Sequence, residues 1–318
     1  MNELVTMIIP AYQEEKKIGR CLKSIAASTY RNLELIVVND GSTDNTRRIA
    51  EEFMMSDSRV TLINQENGGL SVARNVGLEQ SCGDLIMFVD SDDCLLPGAI
   101  SNLVEGLEST SSDIAIGGFS YARHVTAASN NPVYTISPRD AVETILYQTK
   151  HSTFNNSVSG KIYRRCIIGQ ERFTPGLYFE DIDFFYRVFM RAGVIGVTES
   201  VVYFYRATPG SIMHVFSPKR ADVLEITRRI ELYFNNDPQL FAAAQDRRLS
   251  ANFNIFALIS CQPDRDKYKQ ISADCWDVIK KYRILALMNN NVRLKNKVGA
   301  LLSYFGKTVF SILSRLNK

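Results

Sequence analysis

Apolar runs and helical segments alternate through the first 120 residues, and this alternation constrains the possible folds more than any other feature of the sequence. An apolar run bounded by polar residues is typical of a buried strand. Buried strands that are each separated by a helix form a parallel sheet with helices on both faces. The pattern therefore predicts an α/β fold with a Rossmann-like, mostly parallel sheet. Its strands are predicted at Leu4–Ile9, Leu33–Val38, Val60–Ile63, Leu85–Val89 and Asp113–Gly117, and its helices at Glu14–Ala27, Asp44–Met55, Leu70–Ser81 and Gly98–Glu108.

Polar clusters follow three of these strands at the point where each strand ends. They are the segments Pro10–Gln13, Asn39–Ser42 and Asp90–Asp93. In an open parallel sheet, ligands bind beyond the carboxyl ends of the strands. The three clusters therefore predict a binding site along one edge of the sheet.

Three carboxylates in four residues, Asp90, Asp92 and Asp93, make the last cluster the strongest chemical signal in the chain. Side chains at i and i+2 of an extended segment point the same way, so Asp90 and Asp92 can converge. Their mutual repulsion favours a bound cation. Oxygen ligands of this kind suit Mg²⁺ or Mn²⁺ held together with substrate phosphates. The alternative is an Asp-rich turn, since Pro97 and Gly98 follow closely.

Side chains suited to a nucleotide stand in the other two clusters and in the segment Gly68–Asn75. Asp40, at the end of a buried strand, could accept a hydrogen bond from a nucleobase N–H, and Tyr12 could stack on that base. Arg74 could neutralise phosphate or contact the base. The structural alternatives are a plain turn after the second strand and a solvated arginine on a helix surface.

Two later segments supply acids, an arginine and a histidine. Glu180 and Asp181 stand at the predicted start of a helix, where the helix dipole also favours acids. A general base at this place would need to reach an acceptor hydroxyl. Arg206 ends a predicted strand, and His214 follows it and could close over a metal–diphosphate site, although a lone histidine is more often structural.

Taken together, these segments resemble glycosyltransferase family 2, whose members have a GT-A fold. The matching motifs are collinear within residues 1–215: IPAYQE at 9–14, VNDGSTD at 38–44, GLSVARN at 69–75, FVDSDD at 88–93 and ED at 180–181. The remaining hundred residues lie outside the resemblance. The resemblance implies a metal-dependent, inverting transfer of a sugar from a nucleotide-sugar, usually a UDP-sugar. The acceptor would be a hydroxyl of a glycan or lipid-linked molecule in cell-surface polysaccharide synthesis.

The resemblance also implies roles for single residues. Asp181 would be the catalytic base, with Glu180 beside it. Asp92 would bridge Mn²⁺ or Mg²⁺ to the diphosphate, with His214 as a further ligand. Because Asp93 follows directly, the main metal ligand is either Asp92 or Asp93. Nucleotide-sugar binding is implied for Pro10, Tyr12, Glu14, Asp40, Arg74, Asp90, Ser91 and Arg206.

Composition and charge limit the possible partners and the cellular compartment of the protein. The net charge is +3 over 318 residues, so nothing global points to nucleic acid as a partner. The six cysteines are scattered without a CxxC pair or zinc spacing, which is typical of a reducing compartment. Neither a signal peptide nor an 18-residue apolar window is evident. We therefore expect a cytoplasmic protein.

The pattern of elements divides the chain into a catalytic domain at 1–215 and a helical region at 216–318. The catalytic domain would have a nucleotide-binding half, about 1–118, and an acceptor half at 119–215, where Lys161 and Tyr163 line the acceptor cleft or lie on the surface. The last 30 residues combine six cations and no acid with a Leu- and Phe-rich complement. This segment packs on the catalytic domain or lies on anionic lipid at the inner face of a membrane.

Two other functions compete with the transfer reaction. A haloacid-dehalogenase-type phosphotransferase also places two aspartates after a strand, but here the acids follow the fourth strand and Cys94 replaces the usual Thr or Val. A catalytically silent nucleotide-sugar-binding protein would have no need for Asp181. A NAD-linked enzyme is disfavoured because no GxGxxG motif follows the first strand.

Overall fold

The computed structural model describes residues 3–121, 133–148, 155–206 and 216–316. The chain forms two compact units. The first contains residues 1–141 and 151–207, and the second contains residues 142–150 and 208–318. The first unit ends at residue 207, whereas the sequence predicted a domain boundary at residue 215.

The strands of the described residues all belong to one sheet. They are β1 (Val5–Ala11), β2 (Leu33–Asp40), β3 (Val60–Gln65), β4 (Leu85–Phe88), β5 (Cys94–Leu95), β6 (Ile114–Ser120), β7 (Val133–Ile136), β8 (Lys161–Arg164) and β9 (Ile195–Phe204). Their order is β3–β2–β1–β4–β8–β6–β9–β5, with β7 also paired to β9.

Four of the five strands predicted in the first 120 residues form a parallel block of this sheet, while the fifth, β6, pairs antiparallel with β8 and parallel with β9. β1 pairs in parallel with β2 and β4, and β2 pairs in parallel with β3. Ile8 lies in register with Ile36 on one side and with Phe88 on the other. All seven residues of β1 are buried, as expected for a strand covered on both faces. The predicted α/β fold is therefore confirmed.

Antiparallel pairing completes the sheet, and the sequence did not predict it. β8 pairs antiparallel with β4 and β6, while β5 and β7 pair antiparallel with β9. Within residues 120–215 the sequence predicted the strand that ends near Arg206, which corresponds to β9, but not β7 or β8. β5, β7 and β8 have only two to four residues, too few to show a periodic pattern.

The first four helices follow the predicted alternation with strands, and the structure describes three more before residue 207. They are α1 (Ile18–Ala26), α2 (Thr46–Ser56), α3 (Leu70–Gln80), α4 (Ala99–Ser109), α5 (Pro138–Tyr147), α6 (Arg165–Ile168) and α7 (Glu180–Phe189). α1 shows why they dock on the sheet, because it buries Ile18, Cys21, Leu22 and Ile25 at the spacing of one helix face.

The second unit is helical after residue 216, as predicted. Its long helices are α8 (Asp222–Tyr233), α9 (Pro238–Ser260), α10 (Lys269–Met288), α11 (Leu294–Leu302) and α12 (Gly306–Leu316). α9 begins at Pro238 because the Asp237 carboxylate caps it, accepting hydrogen bonds from the N–H groups of Gln239 and Leu240. Among the described helices, none is both long and apolar enough to cross a bilayer.

Close packing of α3 on β1 gives a test of the fold. A Cβ at Gly77 would lie 2.4 Å from Ile8 Cγ2, so we expect Gly77→Ala to destabilise the protein by about 1–3 kcal/mol through overpacking. Gly19→Ala in α1 is the matched control, because its Cβ would meet Ile49 Cγ2 at an ordinary 3.5 Å. The control should be neutral or stabilising by up to about 1 kcal/mol. Urea unfolding measures both variants, and equal stabilities would contradict the packing.

Candidate active site

The predicted polar clusters meet at one edge of the sheet. Tyr12 follows β1, Asp40 ends β2 and Asp90 follows β4, and these three parallel strands are neighbours in the order β2–β1–β4. Their carboxyl ends therefore deliver the three clusters to the same edge, as the sequence predicted.

Arg74, on α3, is the centre of the site. Its Nη2 lies 2.8 Å from Asp90 Oδ1, and its Nη1 lies 2.6 Å from Glu180 Oε1 and 2.7 Å from Asp181 Oδ1. The side chain is 1% exposed, and its guanidinium carbon stands 5.2 Å from the centre of the Phe173 ring. A solvated arginine on a helix surface is therefore excluded. Burial disfavours its charge, but attraction to the three carboxylates outweighs burial and raises the pKa of Arg74.

Asp90 is fixed by further hydrogen bonds from two other segments. Ser159 Oγ lies 3.3 Å from Asp90 Oδ2, and the Asp90 N–H donates to Tyr203 Oη at 3.0 Å. With Arg74 on its other oxygen, the carboxylate is held by α3 and by the loop before β8. The geometry orients one aspartate of the acidic motif while its side chain stays 30% exposed.

Asp181, the predicted general base, is held by a backbone N–H as well as by Arg74. Its Oδ2 accepts a hydrogen bond from the Val158 N–H at 3.2 Å. Burial, reinforced by repulsion from Glu180 and Asp90, raises the pKa of Asp181 to about 7, although Arg74 opposes this shift. A carboxylate with a pKa near neutrality can both take and release a proton at physiological pH. The helix dipole explains an acid at the start of α7, but it does not explain this convergence on Arg74.

The two candidate metal ligands, Asp92 and Asp93, have different surroundings. Asp92 is 32% exposed at its side chain and lies 3.5 Å from Lys17 Nζ. Asp93 is 1% exposed, and its Oδ1 accepts the Arg206 backbone N–H at 2.9 Å. Burial, with repulsion from Asp90, raises the pKa of Asp93 to about 8. Accessibility therefore favours Asp92 as the carboxylate that can reach a ligand.

A divalent metal fits the chemistry of this cluster if a substrate shares it. Across the described ranges, no three His, Cys, Asp or Glu side chains are grouped as a ready-made metal site. Mg²⁺ and Mn²⁺ usually take one or two carboxylates and complete their shell with phosphate oxygens and water. Asp93 Oδ2 is buried without a hydrogen-bond partner in the described part of the chain, so one carboxylate oxygen of the cluster has no protein group to satisfy it. His214, the further ligand suggested by the sequence, lies outside the described residues.

Tyr12 and Asp40 occupy the end of the site where a nucleobase was predicted. Tyr12 is 49% exposed, so its ring is open to stacking. Asp40 is buried, and its Oδ1 accepts hydrogen bonds from Gln65 Nε2 at 2.7 Å and the Gly68 N–H at 2.8 Å. Its Oδ2 accepts the Gly69 N–H at 2.8 Å. Asp40 thus anchors the loop that leads into α3, and base recognition stays a prediction.

The other predicted nucleotide-sugar residues lie in or beside the same motifs. Pro10 and Ser91 are buried. The Glu14 carboxylate lies 3.0 Å from Lys17 Nζ, which places it beside Asp92 through a shared lysine. Arg206 meets the acidic motif through its backbone N–H on Asp93. Their roles in binding stay predictions.

Sequence reasoning missed the loop 155–160, which precedes β8 and contributes Val158 and Ser159 to the site. Lys161, just after this loop, is 1% exposed and donates to Asn155 Oδ1 at 3.0 Å and to the Ser157 carbonyl at 2.6 Å. Burial lowers the pKa of Lys161 to about 7. A surface position for Lys161 and Tyr163 is therefore wrong. No sequence signal marked the loop, because its contacts use a backbone N–H and a small hydroxyl.

A cavity of about 180 Å³ opens beside the acidic motif. Asp90 and Asp93 are among its lining residues, with Asn155, Asn156 and Ser157 from the newly found loop. Four aromatic side chains complete the lining, namely Phe119, Tyr121, Tyr203 and Tyr205. Its volume lies below the ~300 Å³ at which sites for drug-sized ligands begin.

Comparison with known proteins identifies the family. The profile described as Glycosyl transferase family 2 matches residues 6–170. Glycosyltransferase GlyG of Streptococcus pneumoniae is 32% identical over 224 residues, which cover 67% of this chain and 74% of GlyG. Glycosyltransferase GlyA of the same organism is 33% identical over 74% of this chain, but the matched region spans only 35% of GlyA. The chain belongs to glycosyltransferase family 2, which overturns the phosphotransferase alternative.

Solved structures extend the likeness of the fold to the helical unit. Residues 1–349 of Staphylococcus aureus TarS, solved in complex with UDP-GlcNAc, superimpose with a TM-score of 0.70 at 20% identity, covering 99% of this chain and 92% of that one. The mannosyltransferase PcManGT of Pyrobaculum calidifontis, solved with GDP-Man and Mn²⁺, gives 0.56 at 16% identity, with 99% and 88% covered. The GT-A-like fold is thereby confirmed, and the structural likeness includes the residues that the sequence motifs left out.

Removal of the central cation gives a pH-dependent prediction. Arg74→Met leaves three carboxylates uncompensated, so we expect a loss of about 3–5 kcal/mol of stability at pH 8. The loss should shrink at pH 5, because the acids around the missing cation take up protons there and repel one another less. An acid whose pKa is raised in the folded state is less destabilising at low pH, and this advantage is lost as the pH rises through its folded pKa. Arg59→Met, which breaks an ion pair with Asp57 outside the site, is the control and should cost under about 1 kcal/mol. Urea unfolding at both pH values measures this, and equal losses for Arg74→Met would contradict it.

Proposed function

We propose that this family 2 glycosyltransferase moves a sugar from a UDP-sugar to a hydroxyl of a glycan or lipid-linked acceptor, with inversion at the anomeric carbon. The observation that carries the proposal is the Arg74 bridge, which joins Asp90 at the edge of the sheet to Asp181 on α7. It sets a donor-side carboxylate and a base with a pKa of about 7 around one guanidinium. The UDP-sugar complex of TarS supports uridine as the nucleoside.

Asp181 would begin the reaction by taking the proton of the acceptor hydroxyl. The hydroxyl oxygen then attacks the anomeric carbon and forms the new glycosidic bond, while the bond from that carbon to the diphosphate breaks. The nucleoside diphosphate leaves with the electron pair, and the proton stays on Asp181 until solvent removes it. Attack from the face opposite the leaving group inverts the configuration.

Fixed groups around Asp181 and Asp90 would hold the reactants without reorganisation during the reaction. Val158 and Arg74 orient Asp181, and Ser159 and Tyr203 orient Asp90, so both carboxylates are in place before the sugar arrives. Such preorganisation is a large term in enzymatic rate enhancement. When bound, Mn²⁺ or Mg²⁺ would be held by Asp92, with His214 as a further candidate, and would supply positive charge to the diphosphate.

The aromatic cavity supports a sugar as its occupant. Tyr121 and Tyr205 stand edge to face, 5.6 Å between ring centres, and they offer an apolar wall. Asp90 and Asn155 offer hydrogen-bonding groups on the other lining segments. Sugars have apolar C–H faces and polar hydroxyl edges, and such a mixed lining suits both.

The proposed setting is the cytoplasm, with the enzyme peripheral to the inner face of the membrane and active in cell-surface polysaccharide synthesis. All six cysteines are free thiols, in keeping with a reducing compartment. A catalytically silent nucleotide-sugar-binding protein is the second candidate, and the raised pKa of Asp181 favours the enzyme over it.

Loss of the base separates transfer from donor binding. Asp181→Asn should lower the transfer rate at least ~100-fold, because an amide cannot take the proton, while the affinity for UDP-sugar stays within about threefold. Asp140→Asn is the matched control, since Asp140 also stands in the first turn of a helix but lies outside the site. Release of UDP and donor titration measure the two effects. Turnover by Asp181→Asn at the wild-type rate would remove Asp181 from the mechanism.

Metal dependence is tested at Asp92. Asp92→Ala should abolish the gain in UDP affinity that Mn²⁺ gives, because the exposed carboxylate that would share the metal with the diphosphate is gone. Asp57→Ala, whose carboxylate pairs with Arg59 elsewhere in the first unit, is the control and should keep the gain. Calorimetric titration of UDP with and without Mn²⁺ measures it, and an unchanged response of Asp92→Ala would rule out this ligand.

A further inference from the structure

The second unit presents large apolar side chains to solvent along α11, the short 3-10 turn after it (Ser303–Phe305) and α12. We call this surface the basic apolar face and define it by six exposed side chains: Leu294, Val298, Leu301, Phe305, Val309 and Ile312. Their exposures range from 40% for Val309 to 76% for Leu294. Six exposed large apolar side chains within 19 residues of sequence exceed the scattered single residues that need no explanation, and such a concentration marks an interaction site.

On α11 the large apolar side chains face solvent and the small or polar ones face the unit, which is the reverse of an ordinary surface helix. The side that faces the unit contains Asn296 and Ala300, which are buried. The outward side contains Leu294, Val298 and Leu301 at the same helical spacing of four and three residues. A helix that served only the core of its own unit would turn the large apolar side chains inward. The sequence of α11 is therefore explained by something outside the chain's own core.

Exposed apolar side chains continue in the following segment. Phe305, Val309 and Ile312 are exposed, while Phe310 is buried and stacks on Phe253 with 5.4 Å between ring centres. Phe310 thus fixes α12 to α9 of the same unit. The outward side chains are therefore presented by an anchored helix.

Charge around this face has one sign. From Val278 to Lys318 the sequence contains nine lysines and arginines and no aspartate or glutamate. Lys295 and Lys307 are exposed beside the apolar side chains of α11 and α12. A second copy of the chain would set cations against cations, which disfavours self-association through this face. An anionic bilayer offers acyl chains for the apolar groups and negative headgroups for the cations.

Tyr304 fits the level of the headgroups. It is 48% exposed, and the guanidinium carbon of Arg283 stands 3.9 Å from the centre of its ring. Arg283 also donates to the Ser303 carbonyl at 3.2 Å, which fixes the pair in place. Tyrosine and arginine are side chains that anchor proteins at the boundary between water and acyl chains.

We propose that the basic apolar face docks on the surface of an anionic lipid bilayer, with α11 and α12 lying in the plane of the headgroups. None of the helices that the structure describes can span a bilayer, so this is attachment to one leaflet. The proposal is independent of the transfer reaction, because binding to vesicles needs neither donor nor acceptor.

Flotation of the full chain with vesicles tests the apolar part of the face. Vesicles of phosphatidylcholine with 30% phosphatidylglycerol should bind the protein, and pure phosphatidylcholine vesicles should bind at least about tenfold less. Val298→Glu/Phe305→Glu should lose binding at least about tenfold, because charge cannot enter the acyl boundary. Both positions are exposed, at 46% and 67%, so the fold is expected to survive, and circular dichroism checks it. Met55→Glu, 83% exposed on α2 of the first unit, is the matched control and should bind as the wild type does.

A second pair of variants tests the charge. Lys295→Gln/Lys307→Gln should weaken binding at least about tenfold, since each lysine near an anionic surface contributes about fivefold. Lys267→Gln/Lys269→Gln changes the net charge equally at two lysines that are 73% and 77% exposed and paired with Asp264 and Asp266, before the acid-free segment, and should stay within about twofold.

Three results would overturn the proposal. The first is equal binding to both kinds of vesicle, and the second is wild-type binding by Val298→Glu/Phe305→Glu. The third is a stable dimer in light scattering that this variant converts to a monomer while the wild type ignores vesicles. In that case the face joins two copies of the chain.

Discussion

The contact of one buried guanidinium with three carboxylates organises the catalytic unit. Arg74 comes from α3, Asp90 from the loop after β4, and Glu180 and Asp181 from the start of α7, so the cation ties distant segments together. One positive charge cannot neutralise three acids. Part of the deficit appears as the raised pKa of Asp181. The site is therefore ordered before ligand arrives and still requires a cation or a proton to complete its charge.

The sequence predicted the parallel part of the sheet because its strands are apolar throughout and end in polar clusters. It could not predict the loop 155–160, which binds Asp181 through a backbone N–H and Asp90 through a serine hydroxyl. Those contacts depend on where β8 pairs, and four residues hold too little pattern to reveal a strand. The burial of Lys161 could not be predicted for another reason: lysine is rarely buried, and nothing in the neighbouring sequence marks this one as an exception.

Motif residues that were predicted to contact the ligand also make hydrogen bonds that stabilise the protein itself. Asp40 accepts three hydrogen bonds from Gln65, Gly68 and Gly69, and it thereby sets the entry to α3. That helix in turn places Arg74. A substitution at Asp40 would therefore alter both any base contact and the position of the central cation. This coupling explains why residues with separate predicted roles belong to one continuous network from β2 to α7.

Charge imbalance of opposite sign distinguishes the two units, and the net charge of +3 conceals it. In the first unit, Asp93 Oδ2 is buried without a partner in the described residues, and the acids around it outnumber the cations in contact with them. In the second, 41 residues from Val278 contain nine cations and no acid, beside apolar side chains turned to solvent. Folding alone does not favour either arrangement, because like charges that are left together oppose the compact state. The ligands we propose have the opposite charge in each case: a divalent metal shared with the nucleotide at the carboxylates, and an anionic lipid surface at the lysines and arginines.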